Sequence, residues 1–413
     1  MMSGYEIIVC GAGPAGMLAA ITAARGGRQV LLLERMARPG AKLLATGGGR
    51  CNLASLLSNE EIIRRFGREG RFMIPALKDF DVAALRAFFS EIGVESHAPD
   101  GMRVFPVDHN AGTVAKALEN ELHRLKVEIR CSQQVTGLRI SEGQVCGVES
   151  NGCEIASRRV ILATGGKGYP ALGSDGSGIQ LAAAAGHAVT PLFPAMLPLK
   201  TRETWVKNCR ADTIGKTEIR IPLPEAKKLH GHGDLIFTVD GIRGPVVLDF
   251  AREITPLLEK YGEVPLLINL TRGLNEEQLR SCLQKQQQQS PMQTAATIVA
   301  SLLPMPLAVE LCRLAGIDPE QPLKNQAPGL RDALLKILTW TPLTVTGHDG
   351  WPAAMVTRGG LSLKEIQPET LESRMVKGLY FGGEMLNLDG PCGGFNLHWC
   401  FASGRLAGQS AAI

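Results

Sequence analysis

The sequence predicts an α/β protein whose main domain is built from both chain ends around a separate insert. Three observations carry this reading. Residues 5–34 read as strand, glycine turn, helix and strand, closed by an acid. The 413 residues include 47 Gly, where the usual share of roughly 7% would give about 29, and the surplus sits in four loops. The texture changes near residue 190 to short runs cut by proline, and changes back near 353.

The elements follow in order. Tyr5 to Cys10 predicts a buried first strand; its apolar run Ile7–Cys10 follows Glu6 and not a basic stretch, so it is not read as a signal peptide. Gly11-Ala12-Gly13-Pro14-Ala15-Gly16 makes the turn, and Met17 to Ala24, rich in Ala and Leu, predicts a helix. Gln29 to Leu33 is the second strand, and Glu34 ends it. Helices are expected over Phe80–Ile92 and Ala111–Leu125, and a strand over Val127–Cys131. Gly137–Glu149 and Glu154–Ile161 read as strands of a small meander, and Gly178–Gly186 as a helix. Pro191, Pro194, Pro198, Pro222 and Pro224 then punctuate runs that suggest strands and turns. Gln278–Gln289, Ala295–Leu303, Leu307–Leu314 and Leu330–Leu338 read as helices. Strand texture returns at 340–355, Leu379–Phe381 is the last strand, and Asn396–Ala412 is the terminal helix.

Bulk numbers exclude several classes. Lys+Arg 44 against Asp+Glu 40 leaves a net charge of +4, no basic field of the kind a dedicated nucleic-acid binder needs. No apolar stretch reaches the ~18 residues of a membrane span. The ten Cys include no C-x-x-C pair and read as reduced thiols of a cytoplasmic protein. His230 and His232 would share one face of a strand, but no third ligand lies nearby, so no metal is expected.

The first glycine loop is a dinucleotide site in outline. Gly11 makes the tight turn, Gly13 lets backbone touch a pyrophosphate, and Gly16 lets helix and strand pack closely. The helix start offers free N–H groups and partial positive charge. Glu34 would accept hydrogen bonds from ribose hydroxyls, and Arg35 stands beside it. A nicotinamide dehydrogenase has no need of further glycine loops in mid-chain and at the end. Here Ala163-Thr164-Gly165-Gly166 ends a strand, Gly382-Gly383-Glu384 ends the last strand, and Gly393-Gly394-Phe395-Asn396 opens the last helix. That helix could direct its N–H groups at the pyrimidine edge of a flavin, so the expected cofactor is FAD. A further loop, PGAKLLATGGGRCN (39–52), permits close backbone approach at Gly47 to Gly49, with Lys42 and Arg50 supplying charge for phosphate or an anionic substrate. Cys51 has no His close in sequence, which favours an inert thiol over a reactive one.

These motifs, with Met102–Pro106, Phe237-Thr238, Gly244-Pro245, VTRGGLSLKEI (356–366) and GLYFGGEMLNLDGPCGGFNLHWCFASGRLAG (378–408), resemble the BaiN-like (YhiN-type) FAD-dependent oxidoreductases over nearly the whole chain. The resemblance implies a Rossmann-like FAD-binding domain of glutathione-reductase type, with a β-barrel-like plus helical insert. The domains are then 1–189 and 353–413 for FAD, and 190–352 for the insert (barrel-like 190–270 and 340–352, helical 271–339). It implies non-covalent FAD, with Gly11 to Gly16 and Glu34 on the ADP half. Lys42 and the loop Gly47, Gly48, Gly49, Arg50, Cys51 and Asn52 would follow the pyrophosphate and ribityl chain. Val135 would meet the adenine, and Asn396 and Leu397 would present backbone to the flavin ring. One branch of the family is associated with reducing carbon–carbon double bonds of oxo-bile acids. The chain departs from the family pattern at Val239, where a His is usual, at Arg243, where a Ser is usual, and at His398, where a Gln is common.

The expected activity is therefore NAD(P)H-linked reduction of a double bond conjugated to a carbonyl or carboxylate. No second dinucleotide unit exists, so NAD(P)H would be a transient donor. Arg50 is the residue expected to orient the carbonyl or carboxylate, and Arg243 would suit an anionic small molecule. Proton-donor candidates are His398, Cys51 and Tyr169, unranked. A dehydrogenase or oxidase using O₂ or quinone, an RNA-associated flavoprotein and a plain FAD-binding module stay open as alternatives. The sequence names neither substrate nor oligomeric state.

Overall fold

The computed structural model describes residues 5–210 and 212–413. Two compact units divide the chain: residues 1–194 with 354–413, and residues 195–353. The first junction lies five residues beyond the expected 189/190, because the strand Val189–Ala195 pairs with Val356–Leu361 of the first unit.

The first unit is organised by a five-stranded parallel sheet. Its order is Leu379–Phe381, Val160–Leu162, Ile7–Cys10, Val30–Leu33, Glu128–Arg130. The inner strands IIVC and VLLL are buried at every position. Parallel strands covered on both faces need such continuous apolar runs. The helix Pro14–Arg25 opens with Pro14 at its first position, where the missing N–H costs nothing. It packs against the C-terminal helix Phe395–Ala412 through small residues: a Cβ on Gly404 would stand 2.1 Å from the Ala15 carbonyl oxygen, and one on Gly408 2.4 Å from that of Ala19. Side chains at either position would push the helices apart.

Asp81 caps the helix Val82–Glu91, and Asn110 caps Ala111–Arg124. The strands Val135–Ser141, Gln144–Ser150 and Cys153–Ala156 form the meander. The run expected as one strand, Glu154–Ile161, is split. Its first half closes the meander, and Val160–Leu162 enters the main sheet. The short helices between Asn59 and Asp79 carried no periodic signal long enough to be read.

Glu121 ties the helix Ala111–Arg124 to the first helix. It is 5% exposed and takes bonds from Arg25 Nη2 at 2.6 Å and Arg124 Nε at 2.7 Å. The Arg124 bond, opposed by burial and aided by Arg25, lowers its pKa. A carboxylate lowered in this way stabilises the fold above its unfolded pKa of about 4.3, and the contribution disappears as pH falls through the folded value. Glu121→Gln is expected to cost about 2 kcal/mol at neutral pH. Denaturant titrations of both proteins down the pH scale should show the gap closing below about pH 4; a gap constant with pH would contradict this ion-pair account.

The second unit holds a closed six-stranded barrel. Its circuit is Leu199–Thr201, Gly241–Arg243, His230–Phe237, Thr213–Arg220, Val264–Asn269, Thr341–His348. Helices Glu276–Gln289, Ala295–Val299, Met305–Leu314 and Pro328–Thr339 share its hydrophobic core. One long helix was not expected. Pro245–Tyr261 lies where the proline-rich texture suggested strands and turns. Pro245 sits at the permitted first position, and Val246, Phe250, Ile254 and Leu258 repeat every four residues on its buried face.

Candidate functional site

Gly13 is the N-cap of the first helix, in extended backbone, and no side chain caps the helix start. A Cβ there would meet no heavy atom within 4 Å, whereas on Gly16 it would stand 1.8 Å from the Gly11 oxygen. On Gly11, whose φ is +100°, it would stand 2.6 Å from the Ala163 oxygen. Two of the three glycines therefore serve packing, and Gly13 faces open space at the positive end of a helix.

Glu34 is 8% exposed, and its carboxylate spans the turn: Oε2 accepts from Ala12 N at 2.7 Å and Oε1 from Met36 N at 2.8 Å. Each oxygen keeps a second lone pair for a vicinal diol. Gln133 N donates to the Glu34 carbonyl at 2.9 Å, which brings the stretch leading to Val135 beside the acid. Arg35 does not stand free for phosphate: it pairs with Asp175. Burial raises the Asp175 carboxyl, and the Arg35 and Ser177 hydrogen bonds outweigh it and leave the group below its ordinary range.

A half-buried network joins three of the glycine-rich segments. Lys42 Nζ and Glu384 Oε2 lie 2.7 Å apart, and Glu384 Oε1 accepts from Thr357 N at 2.8 Å. Thr357 Oγ1 in turn accepts from Lys167 N at 2.7 Å. A Cβ on Gly166 would enter this network, 2.3 Å from Thr357 Oγ1 and 2.8 Å from Glu384 Oε1. Thr357 was not among the expected residues; its hydroxyl and N–H serve segments far away in sequence, which leaves no local pattern to read.

The loop 47–52 faces outward at Gly48 and Gly49, where a Cβ would meet nothing within 4 Å. Behind it, the Asn52 amide joins the loop to the last helix. In the orientation that satisfies both its ends, Asn52 accepts from Gly394 N at 3.1 Å and donates to the Ala54 oxygen at 3.1 Å. Asn396 closes the loop before that helix, taking Gly390 N and giving to the Gly390 oxygen, both at 2.8 Å. Phe395 and Leu397 are buried in the core, so only their backbone is available to a ligand. Gly383 N bonds Ser403 Oγ at 2.9 Å. The helix Phe395–Ala412 starts at Gly394 without a side-chain cap, so like the first helix it begins at a glycine, and helix starts of this kind favour an anionic group.

The proton-donor candidates fare differently. His398 is fully buried and bonds the Phe80 carbonyl oxygen through Nε2 at 2.9 Å; burial lowers its pKa, so it is a neutral core histidine and not a donor to substrate. Cys51 is fully buried and its thiol is pushed up to about 12, which corrects its candidacy as a proton donor; it contributes to the loop through backbone alone, at φ +58°. Tyr169 is half-buried at the head of the one-turn helix Pro170–Leu172. Arg50 is exposed and lies over the Phe105 ring at 5.5 Å. Arg243 is exposed on its hairpin in the second unit. Among the described residues no helix is long and apolar enough to cross a membrane, and no group of three or more His, Cys, Asp or Glu could hold a metal ion.

Comparison with known proteins finds relatives along nearly the whole chain. The family description "HI0933-like protein Rossmann domain" matches residues 5–410. The chain is 33% identical over 413 residues to the 3-dehydro-bile acid delta(4,6)-reductase of Clostridium scindens, covering 98% of this chain and 99% of that one. It is 28% identical over 408 residues to the ribosomal RNA dihydrouridine synthase of Escherichia coli, covering 99% and 98%. In fold it is similar to the 3-ketosteroid delta1-dehydrogenase of Sterolibacterium denitrificans, at 14% identity and a TM-score of 0.52, over 99% of both chains.

Proposed function

The chain belongs to the HI0933-like Rossmann family of flavin-dependent oxidoreductases, and from that premise we propose that it reduces a carbon–carbon double bond conjugated to a carbonyl in a small molecule, with NAD(P)H as transient donor. The observation that carries the reading is the full-length likeness to a reductase of such a bond. The second relative's name points to the same chemistry, because the double bond that dihydrouridine lacks is conjugated to a ring carbonyl.

The residues fit FAD in the two-ended arrangement of glutathione-reductase-type domains. Gly13 and the first helix start would hold the pyrophosphate, Glu34 the adenosine ribose, and the start of the last helix the flavin ring. Bound there, FAD supplies a hydride to an electron-poor carbon. The chain's own task is to polarise and orient the acceptor, for which exposed Arg50 is the proposed group.

The test is anaerobic mixing of the FAD-loaded protein with NADH or NADPH, followed by a 3-oxo-Δ4,6-bile acid. Bleaching of the visible flavin band by one nucleotide, and its return with the enone, is the expected result. Failure of both nucleotides, with fast reoxidation of substrate-reduced protein by O₂, would favour an oxidase. A second reading takes uracil in RNA as the acceptor, on the strength of the Escherichia coli relative. Ribosomal RNA transcripts in the same assay separate the two readings, and salt-dependent RNA binding would support the second.

A further inference from the structure

His97 and His109 form a pair that none of the motifs announces. His97 ends the short strand Ser96–His97 and stands opposite Phe105 in register. His109 follows the partner strand Arg103–Pro106. Their Nε2 atoms lie 2.8 Å apart. At that distance one nitrogen carries a proton and the other accepts it, so the pair holds a shared, transferable proton. Two imidazole ligands around one zinc keep their nitrogens about 3.3 Å apart by tetrahedral geometry, so the spacing is that of a hydrogen bond and not of an empty metal site.

Three further features mark the pair. His109 adopts φ +52°, a left-handed conformation that costs a non-glycine residue free energy and clusters at functional sites. Its Nδ1 is buried and without a hydrogen-bond partner. Its ring packs on Phe105 at 5.2 Å, and Phe105 lies under Arg50 and beside the open glycine loop, 3.8 Å from where a Cβ on Gly47 would stand. The charged groups around this face are Arg50 and Arg103 over Phe105, and Asp108, whose carboxylate is engaged by Asn110 N and Thr113.

We propose that His97 and His109 are the proton source of the reaction, next to the Arg50 that orients the acceptor. The proposal rests on the reductase reading. In the step, the β-carbon of the conjugated alkene gains a hydride from reduced FAD, and the π pair becomes a C–H bond at the α-carbon with the proton that the pair gives up. Oxidised FAD and the saturated ketone result, and water reloads the pair. With His398 and Cys51 sealed in the core, this pair is the histidine chemistry that borders the glycine loop.

The test uses the FAD-loaded protein and the variants His97→Gln and His109→Asn; Asn tolerates the left-handed backbone at 109. One readout needs no substrate. Imidazole chemical shifts of the two histidines, read at one fixed pH, are expected to change when dithionite reduces the flavin. Chemical shifts that stay where they are on reduction would place the pair away from the flavin and overturn the proposal. The second readout is reoxidation of the reduced protein by a 3-oxo-Δ4,6-bile acid. Both variants should retain flavin and slow this step by about 100-fold; rates within about twofold of the wild type would overturn it. If the wild type transfers nothing to the enone, the reductase reading falls, and the response of the imidazole chemical shifts to flavin reduction still decides whether the pair belongs to the site.

Discussion

A Gly13→Val variant is expected to fold and to purify without colour. Gly13 is an N-cap residue at φ −78° and ψ −177°, extended backbone that valine adopts without strain. A Cβ there meets no atom of the protein within 4 Å, so the folded chain has room for the side chain. Valine is a poorer N-cap than glycine, which costs up to about 1 kcal/mol. The isopropyl group would occupy the space through which a pyrophosphate reaches the free N–H groups of the first turn. Affinity for FAD should fall by at least about 100-fold, close to 3 kcal/mol. Visible absorbance per chain measures the flavin, and circular dichroism with thermal melting, set against flavin-stripped wild type, measures the fold. Full flavin content would contradict the placement of the pyrophosphate. Gly16→Ala is the contrast: its methyl would stand 1.8 Å from the Gly11 oxygen, so that variant should fail as a fold before it fails as a binder. The pair of results separates a glycine kept for a ligand from a glycine kept for packing.

The sequence carried the parallel sheet and the glycine-rich turns because both rest on local rules. Ile7–Cys10 and Val30–Leu33 are buried on both faces and so are apolar throughout, and the turn between them needs glycine at fixed offsets. Pro245–Tyr261 was hidden by its own prolines, although its four-residue repeat of apolar side chains was there to be counted. His398 looked like a donor by residue type alone. It is fully buried and bonds the carbonyl of Phe80, 318 positions away in sequence, which no spacing reveals. Thr357, His97 and His109 were missed for a related reason. Thr357 matters through bonds to two other loops, and the two histidines, twelve residues apart, meet only because a short hairpin folds them together. What stayed illegible is tertiary: which polar group meets which across the fold.

Removing the carboxylate of Glu384 should have the second large effect. Glu384 serves two partners at once, Lys42 at 2.7 Å and Thr357 N at 2.8 Å, with 14% of its side chain and 21% of that of Lys42 exposed. Glu384→Ala strands the Lys42 ammonium and the Thr357 N–H together. A fully buried pair that loses one partner costs about 3–5 kcal/mol; with both groups partly wet, about 2–3 kcal/mol is expected. Glu384→Gln keeps an oxygen for Thr357 and loses the charge, so it should cost about half of that. The double variant Lys42→Met with Glu384→Met removes both charges and should recover most of the loss, because the single change is expensive through the charge it leaves unpaired. Denaturant titration of the flavin-free proteins measures these differences, and a double-mutant cycle isolates the pair. Flavin affinity should follow a different order. The pair fastens the loop through Leu43–Gly49 to the turn after the last strand, so the double variant, stable but unfastened, should still bind FAD more weakly than wild type. If it binds FAD as tightly as wild type, the pair is a stabilising contact only. If Glu384→Ala costs less than about 0.5 kcal/mol, the pair behaves as an exposed surface bridge and the network does not organise the site.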